Sequence, residues 1–419
     1  MMKTHAINAR ENLLARMEDD SMALLFSGSA PHKSLDQSYP YTAQRNFFYL
    51  SGIGEENMIL MLLKGQKMNK SLLFIEENTD HIIKWEGANM TKDEASEASG
   101  IHPDNIHYIS QFDARFNAMM NYARSPMGRP PKTLYLDLYH QNTKTKPHAL
   151  KRAGYLVENY PELAIRAINE HLSYLRMFKS EAELTRIRQA IANTHKGLEA
   201  ILDNIKTRNK EYQLQADFLH AIMLEGSSTT AFDTIAANGE NAAVLHYTDN
   251  TDTLDHGNMI LFDLGAEYEY YASDISRTFP VGGAYSKRQK QIYEIVLRVN
   301  KATIEEVRPG VTWKHLNDFS RTMLAKEAKA IGLINDEAEI INHYYHSIGH
   351  FMGLDTHDVG HYSEPLQAGM VLTIEPGLYI KEEGIGVRIE DDILVTEDGY
   401  ENLSEAIPKD VETIEKRIG

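Results

Sequence analysis

Four carboxylates and one imidazole sit in short, well-marked strings in the second half of the chain. They are Asp263 in Leu261-Phe-Asp-Leu-Gly265, Asp274 in Ser273-Asp-Ile-Ser-Arg-Thr278, His350 in Gly349-His-Phe351, Glu375 in Thr373-Ile-Glu-Pro-Gly377 and Glu390 in Val387-Arg-Ile-Glu-Asp391. One histidine with four carboxylates is an oxygen-rich donor set, and four negative charges balance two divalent cations. A pair of ions so balanced stays Lewis acidic enough to hold a bridging hydroxide near neutral pH, which is the chemistry of a hydrolase. Cysteine is absent, so disulfides, thiolate zinc sites and cysteine nucleophiles are excluded.

The spacing predicts how the backbone must present these groups. Asp263 and Asp274 are eleven residues apart with Gly265 between them, so on paired strands they face each other. Arg388 and Glu390, two apart, share one face of an extended strand, and Asp391 points the other way. His346 and His350 have the i, i+4 spacing of a helical zinc pair. Glycines at 349 and 353 flank the second histidine, however, and the glutamate of His-Glu-x-x-His is missing, so that reading is rejected. The acidic run Thr248–Asp255 lacks the alternation and turn glycine of an EF-hand and reads as a solvated loop. Gly282-Gly283 lacks the Gly-Lys-Ser/Thr of a phosphate loop and reads as a turn, and Tyr268, Tyr270 and Tyr271 read as packing residues.

The elements that position these strings follow from periodicity. Residues 8 to about 25 carry helical spacing, and Asn46–Leu63 reads as strands and turns broken at Gly52 and Gly54. Ser71–Ile75 and Thr133–Leu138 are strand candidates, joined to what precedes by a proline-bearing loop over 124–132. Ser180-Glu-Ala-Glu183 is a capping-box start, followed by Leu184, Ile187, Ile191, Leu198 and Ile201 at helical spacing. A second helix through Leu214, Phe218 and Ile222 ends at Gly226, and strand-like sequence with both aspartates runs on to Pro280. A helix opening at Ser286, another from Trp313 to Ile331, and strand-like segments with His350, Glu375 and Glu390 repeat that plan. The expectation is an α+β, two-domain chain: a smaller N-terminal mixed α/β domain over 1–172, and a catalytic domain over 173–419 built on a curved antiparallel sheet with helices outside.

The length of 419 residues fits two domains, and 42% hydrophobic with 25% charged residues fits a soluble globular protein. Sixty Asp+Glu against 43 Lys+Arg give a net charge of −17, which argues against a nucleic-acid partner. The first residues lack a signal-peptide core, and no stretch approaches 18 uninterrupted apolar residues, so the expectation is a cytoplasmic protein with no membrane partner.

The five strings resemble the pita-bread metallopeptidases, the family of methionine aminopeptidase, prolidase and Xaa-Pro aminopeptidase. Asp36-Gln-Ser-Tyr-Pro-Tyr41, Asn46-Phe-Phe-Tyr-Leu-Ser-Gly52 and Trp85-Glu-Gly87 are similar to the N-terminal domain of aminopeptidase P and prolidase, which methionine aminopeptidases lack. The resemblance implies that Asp263, Asp274, His350, Glu375 and Glu390 bind two divalent ions, with manganese suited to the hard oxygen donors. It implies that Glu375 carries the proton from the nucleophile to the leaving nitrogen, and that His246, His346 and His357 border the substrate. His246 and His357 would donate hydrogen bonds to the carbonyl, and Arg388 would support the ligands or the far end of the substrate. The implied activity is removal of an N-terminal residue from peptides with proline second; a dipeptide-cleaving prolidase remains open, because the stretch of fifteen residues from Glu375 to Glu390 is short compared with several relatives. Metal-free creatinase and non-catalytic peptide-binding modules share the fold, but those relatives have lost the ligands and all five strings stand here. A homodimer or homotetramer is implied, with Trp85 either reaching a neighbour's pocket or filling its own core.

Overall fold

A computed structural model of the chain describes residues 1–66, 68–140 and 142–419. The chain divides into two units, Met1–Leu175 and Arg176–Gly419. The first is built on a mixed six-stranded sheet. From one edge to the other it runs Ile106–Tyr108, Asn69–Ile75, Ile59–Lys64, Ser21–Phe26, Thr133–Leu136 and Ala164–Ala167. Ser21–Phe26 pairs antiparallel with Ile59–Lys64 and parallel with Thr133–Leu136.

Two segments differ from the periodicity reading. The first helix stops at Arg16, and Ser21–Phe26, expected to continue it, is a central strand buried at every position. A strand covered on both faces has no alternation to display, so a short apolar run does not distinguish it from helix. The opposite error falls on Phe47–Leu50, which lies in a helix, Arg45–Ser51, closed by Gly52 at φ +68°. Trp85 is 78% exposed at the end of the helix Asp80–Trp85, which overturns its reading as a core residue.

In the second unit every strand pair is antiparallel. Helices Glu181–Asn204 and Glu211–Leu224 precede the sheet of Ile235–Asn238, Met259–Leu264 and Ile275–Pro280. Helices Lys287–Glu305 and Trp313–Ala330 precede the pairs formed by Val371–Ile374, Gly377–Ile380, Ile385–Arg388, Asp391–Val395 and Tyr400–Asn402. The repeated plan expected from sequence is therefore present, and Ser180 forms the predicted capping box. Trp313, Phe351, Leu372, Ile374 and Ile393 share one apolar core, and Asn300 ties the helix Lys287–Glu305 to the strands by donating to the carbonyls of Ile374 and Ile389.

Close backbone approach brings the site strings together. Gly265 leaves no room for a side chain, because a Cβ there would lie 1.8 Å from the Ser273 carbonyl oxygen. At Gly349 the corresponding gap to the Thr373 carbonyl is 2.0 Å. His350 stands outside regular strand, unlike the strand-like expectation. Its neighbour Phe351 makes a single bridge to Leu372, and the Thr373 N–H donates to the His350 carbonyl at 2.9 Å. The two halves of the unit are locked by charge: Arg277 and Asp391 are both fully buried 2.8 Å apart, and Lys409 Nζ donates to the other Asp391 oxygen at 2.6 Å. Asp391→Ala leaves two buried cations without their carboxylate and should cost about 3–5 kcal/mol. Urea unfolding of the chelated protein measures this, and a loss below about 1 kcal/mol would remove Asp391 from the list of groups that hold the fold.

Candidate metal centre

Asp263 lies in the strand Met259–Leu264, opposite Ser276 of the strand Ile275–Pro280, and Asp274 immediately precedes that second strand. The two aspartates therefore meet across adjacent strands, as their spacing predicts. Glu375 follows Val371–Ile374, and its N–H donates to the Ile348 carbonyl at 2.8 Å, which lays it beside the His350 segment. Glu390 lies between Ile385–Arg388 and Asp391–Val395, and its N–H donates to the Ser276 carbonyl at 3.1 Å.

Asp274, His350 and Glu390 each turn one ligand-type atom inward, and these three atoms lie within 4.8 Å of one another. His350 Nε2 is 3.4 Å from Asp274 Oδ2 and 3.7 Å from Glu375 Oε1. His350 Nδ1 stands 3.1 Å from the Phe351 carbonyl. An N–H at Nδ1 satisfies that carbonyl and leaves the Nε2 lone pair facing the carboxylates. Arg388 organises the rim. Its Nη2 donates to Asp263 Oδ2 at 2.6 Å, its Nε to Ser276 Oγ at 2.8 Å and its Nη1 to the Tyr379 hydroxyl at 2.9 Å. Ser276 Oγ in turn donates to Glu390 Oε2 at 2.7 Å.

The electrostatics are those of too much negative charge in one buried place. Burial raises the Asp274 carboxyl well above its ordinary value, and Asp263, Asp392 and Glu375 raise it further. Glu390 is raised by burial and then by Asp274, Glu375 and Asp263. Burial pushes Glu375 up from 4.5 to about 7 although His350 and Arg388 oppose the shift. Asp263 Oδ1 and Asp274 Oδ1 are buried without a hydrogen-bond partner. Orphaned carboxylate oxygens beside a free imidazole lone pair are the donor set a divalent cation takes, so the residues fit a metal centre.

The remaining candidates surround this cluster. The His357 ring lies 4.0 Å from the His350 ring, and burial and His350 lower its pKa to about 4. His346 Nε2 is 2.9 Å from the Tyr379 hydroxyl and its Nδ1 is 3.7 Å from Glu375 Oε2; burial, then Arg388, lower its pKa to about 3. His246 is exposed, and close enough that its charge depresses both of those histidines. Three participants were not singled out from sequence. Ser276 had a signal, because it stands two residues from Asp274 and so shares its strand face. Tyr379 and Asp392 had none: Tyr379 joins Arg388 to His346, and Asp392 Oδ2 accepts the Asp274 N–H at 3.2 Å.

Residues 185–397 match metallopeptidase family M24, and residues 6–127 match the N-terminal domain of aminopeptidase P. The Xaa-Pro aminopeptidase of Haemophilus influenzae is 32% identical over an alignment spanning 97% of this chain and 95% of its own. A Bacillus anthracis structure assigned as an aminopeptidase P is 42% identical with a TM-score of 0.94, covering 100% of this chain and 98% of that one. Zinc-substituted Escherichia coli aminopeptidase P in complex with product is 28% identical with a TM-score of 0.89, at the same coverage. Among the described residues no helix is long and apolar enough to cross a membrane. The buried carboxylate cluster with its one inward histidine thus stands in a metallo-aminopeptidase, and the chain belongs to metallopeptidase family M24.

Proposed function

We propose that this chain hydrolyses the bond between an N-terminal residue and a following proline in peptides longer than two residues, using two divalent ions held by Asp263, Asp274, His350, Glu375 and Glu390. The observation that carries this reading is the convergence of Asp274, His350 and Glu390 on one point, with Glu375 Oε1 3.7 Å from His350 Nε2. Manganese suits a set of four carboxylates and one imidazole. When bound, such ions supply Lewis acidity for the scissile carbonyl and acidify water.

The chain's own groups do the rest. Glu375 receives a proton from the nucleophile and returns it to the leaving nitrogen, a role helped by burial that holds its carboxyl near neutrality before metal enters. His346 and His357, with pKa values of about 3 and 4, stay neutral at pH 7 and add no positive charge beside the ions. A neutral imidazole still donates one N–H, which lets His357 hold the carbonyl oxygen where negative charge builds, with the ring of His246 as a second donor. His346 borders the substrate from the Tyr379 side, and Arg388 supports the ligands, bonding Asp263 directly and Glu390 through Ser276. The protein works in the cytoplasm as a homodimer or homotetramer, and the exposed Trp85 gives each subunit an aromatic group to offer a neighbour.

Glu375→Gln should lower kcat by about 10²–10⁴-fold. Bound metal is measured alongside, and a variant that keeps its metal and a near-normal rate rejects the proton-relay role. Chelation should abolish cleavage of an Xaa-Pro-Xaa tripeptide and manganese restore it. Preference for a Gly-Pro dipeptide over the tripeptide would reverse the assignment to aminopeptidase. Glu375 in the folded, metal-free protein holds its proton to higher pH than in the unfolded chain, so the stability it contributes is present below about pH 4.5 and lost as pH rises through about 7, and the raised Asp274 and Glu390 act in the same direction. Metal cancels that loss, so the gap in melting temperature between manganese-saturated and chelated protein should widen from pH 5 to pH 7.5. A gap that stays flat or shrinks contradicts a repulsive carboxylate cluster.

A further inference from the structure

The loop that ends in His357 rests on buried charge outside the metal cluster. Asp358, next in sequence, has a side chain 1% exposed, against Lys179 at 1% and Arg176 at 3%. Arg176 Nη2 donates to Asp358 Oδ1 and, at 2.7 Å, to Asp355 Oδ2. Lys179 Nζ donates to Asp358 Oδ2 at 3.0 Å and to the Arg176 carbonyl at 2.6 Å. The loop closes on itself as well, because the Gly353 N–H donates to the Asp355 carbonyl at 3.0 Å and the Asp358 N–H to the Phe351 carbonyl at 2.8 Å. Gly353 has no room for a side chain: a Cβ would lie 2.5 Å from Asp358 Oδ2 and 2.7 Å from Lys179 Cε.

Stability alone is a weak reason for such a group, since a buried ion cluster is often no better than well-packed apolar side chains of the same volume. A buried network of directional hydrogen bonds does something apolar packing does less well, which is to specify a single arrangement. Here the arrangement it specifies is that of the residue beside His357, whose ring lies 4.0 Å from that of His350.

We propose that Arg176 and Lys179 are positioning residues for hydrolysis: by gripping Asp358 they fix the backbone at His357 and hold that ring in the orientation the reaction uses. The inference rests on the reading of His357 as a donor to the substrate carbonyl. Lys179→Met is the informative substitution, because Arg176 still neutralises Asp358 and the apolar stem is kept. In full-length, manganese-loaded enzyme it should lower kcat on an Xaa-Pro-Xaa tripeptide by on the order of 10-fold to 10²-fold, the loss expected from a misplaced group. KM and bound manganese should stay within about twofold of the parent, since no substrate or metal contact is removed.

The decisive comparison is with His357→Ala. If Lys179 acts through His357, the double variant should be no slower than His357→Ala alone. Losses that multiply in the double variant would overturn the positioning role, as would a normal kcat in Lys179→Met beside a low one in His357→Ala. A normal kcat in His357→Ala beside a low one in Lys179→Met would overturn both this inference and the assignment of His357. Should Lys179→Met fail to fold, Arg176→Lys, which keeps the charge but shortens the reach to Asp355, serves in the same cycle and is judged by the same outcomes.

Discussion

Mutual repulsion among buried carboxylates is the constraint around which the second unit is organised. Asp274, Glu375, Glu390 and Asp392 are all raised first by burial, and at Asp274 and Glu390 the neighbouring carboxylates raise the pKa further. A chain has no reason to assemble such a group for packing, because each ionised member is destabilising unless a cation answers it. One arginine, Arg388, pairs with Asp263, and its charge is not enough to bring Glu375 or Glu390 back to an ordinary carboxylate value. The structure thus stores in its own electrostatics the affinity for metal that family membership names.

Asp391 and Asp392 show how narrowly that charge is apportioned. They are sequence neighbours, both fully buried, on opposite faces of one strand. Burial raises both, but at Asp391 the cations Arg277 and Lys409 overcome it and hold the carboxyl below its ordinary value. Asp392 has no such pair; its Oδ1 is buried without a hydrogen-bond partner and its pKa stays raised. One face of the strand therefore closes the fold with a satisfied ion network while the other adds to the unsatisfied one. A one-residue slip in the pairing of Val371–Ile374 with Asp391–Val395 would exchange these roles, so the register is enforced by charge as well as by apolar packing.

Much of this is legible in the sequence, and for a physical reason. Groups able to hold a metal must be of particular chemical types at positions the backbone can bring together, so Asp263, Asp274, His350, Glu375 and Glu390 stand out as candidates by type and flanking sequence. The capping box at Ser180 and the paired helices announce themselves through local hydrogen bonding and 3.6-residue periodicity. Ser21–Phe26 and Arg45–Ser51 run against the periodicity because a short apolar run satisfies both periods once both faces are covered. Tyr379 was illegible for a different reason. Its role depends on a hydroxyl placed between Arg388 and His346, a relation set by three separate segments that no local pattern encodes.

A centre designed to attract cations would lose that advantage if its own imidazoles were protonated at working pH. His346 is kept neutral chiefly by burial, then by Arg388, and His357 by burial, then by His350. These two rings consequently offer hydrogen bonds without offering charge. The positive charge that Arg388 brings is hydrogen-bonded to Asp263, Ser276 and the Tyr379 hydroxyl, and it offsets only part of the upward shift at Glu375 and Glu390. The imidazoles of His346 and His357 thus stand beside the cluster without adding charge to it, and the carboxylates of Asp274, Glu375 and Glu390 gather around His350 Nε2, where each one ionised raises the cost of ionising the next.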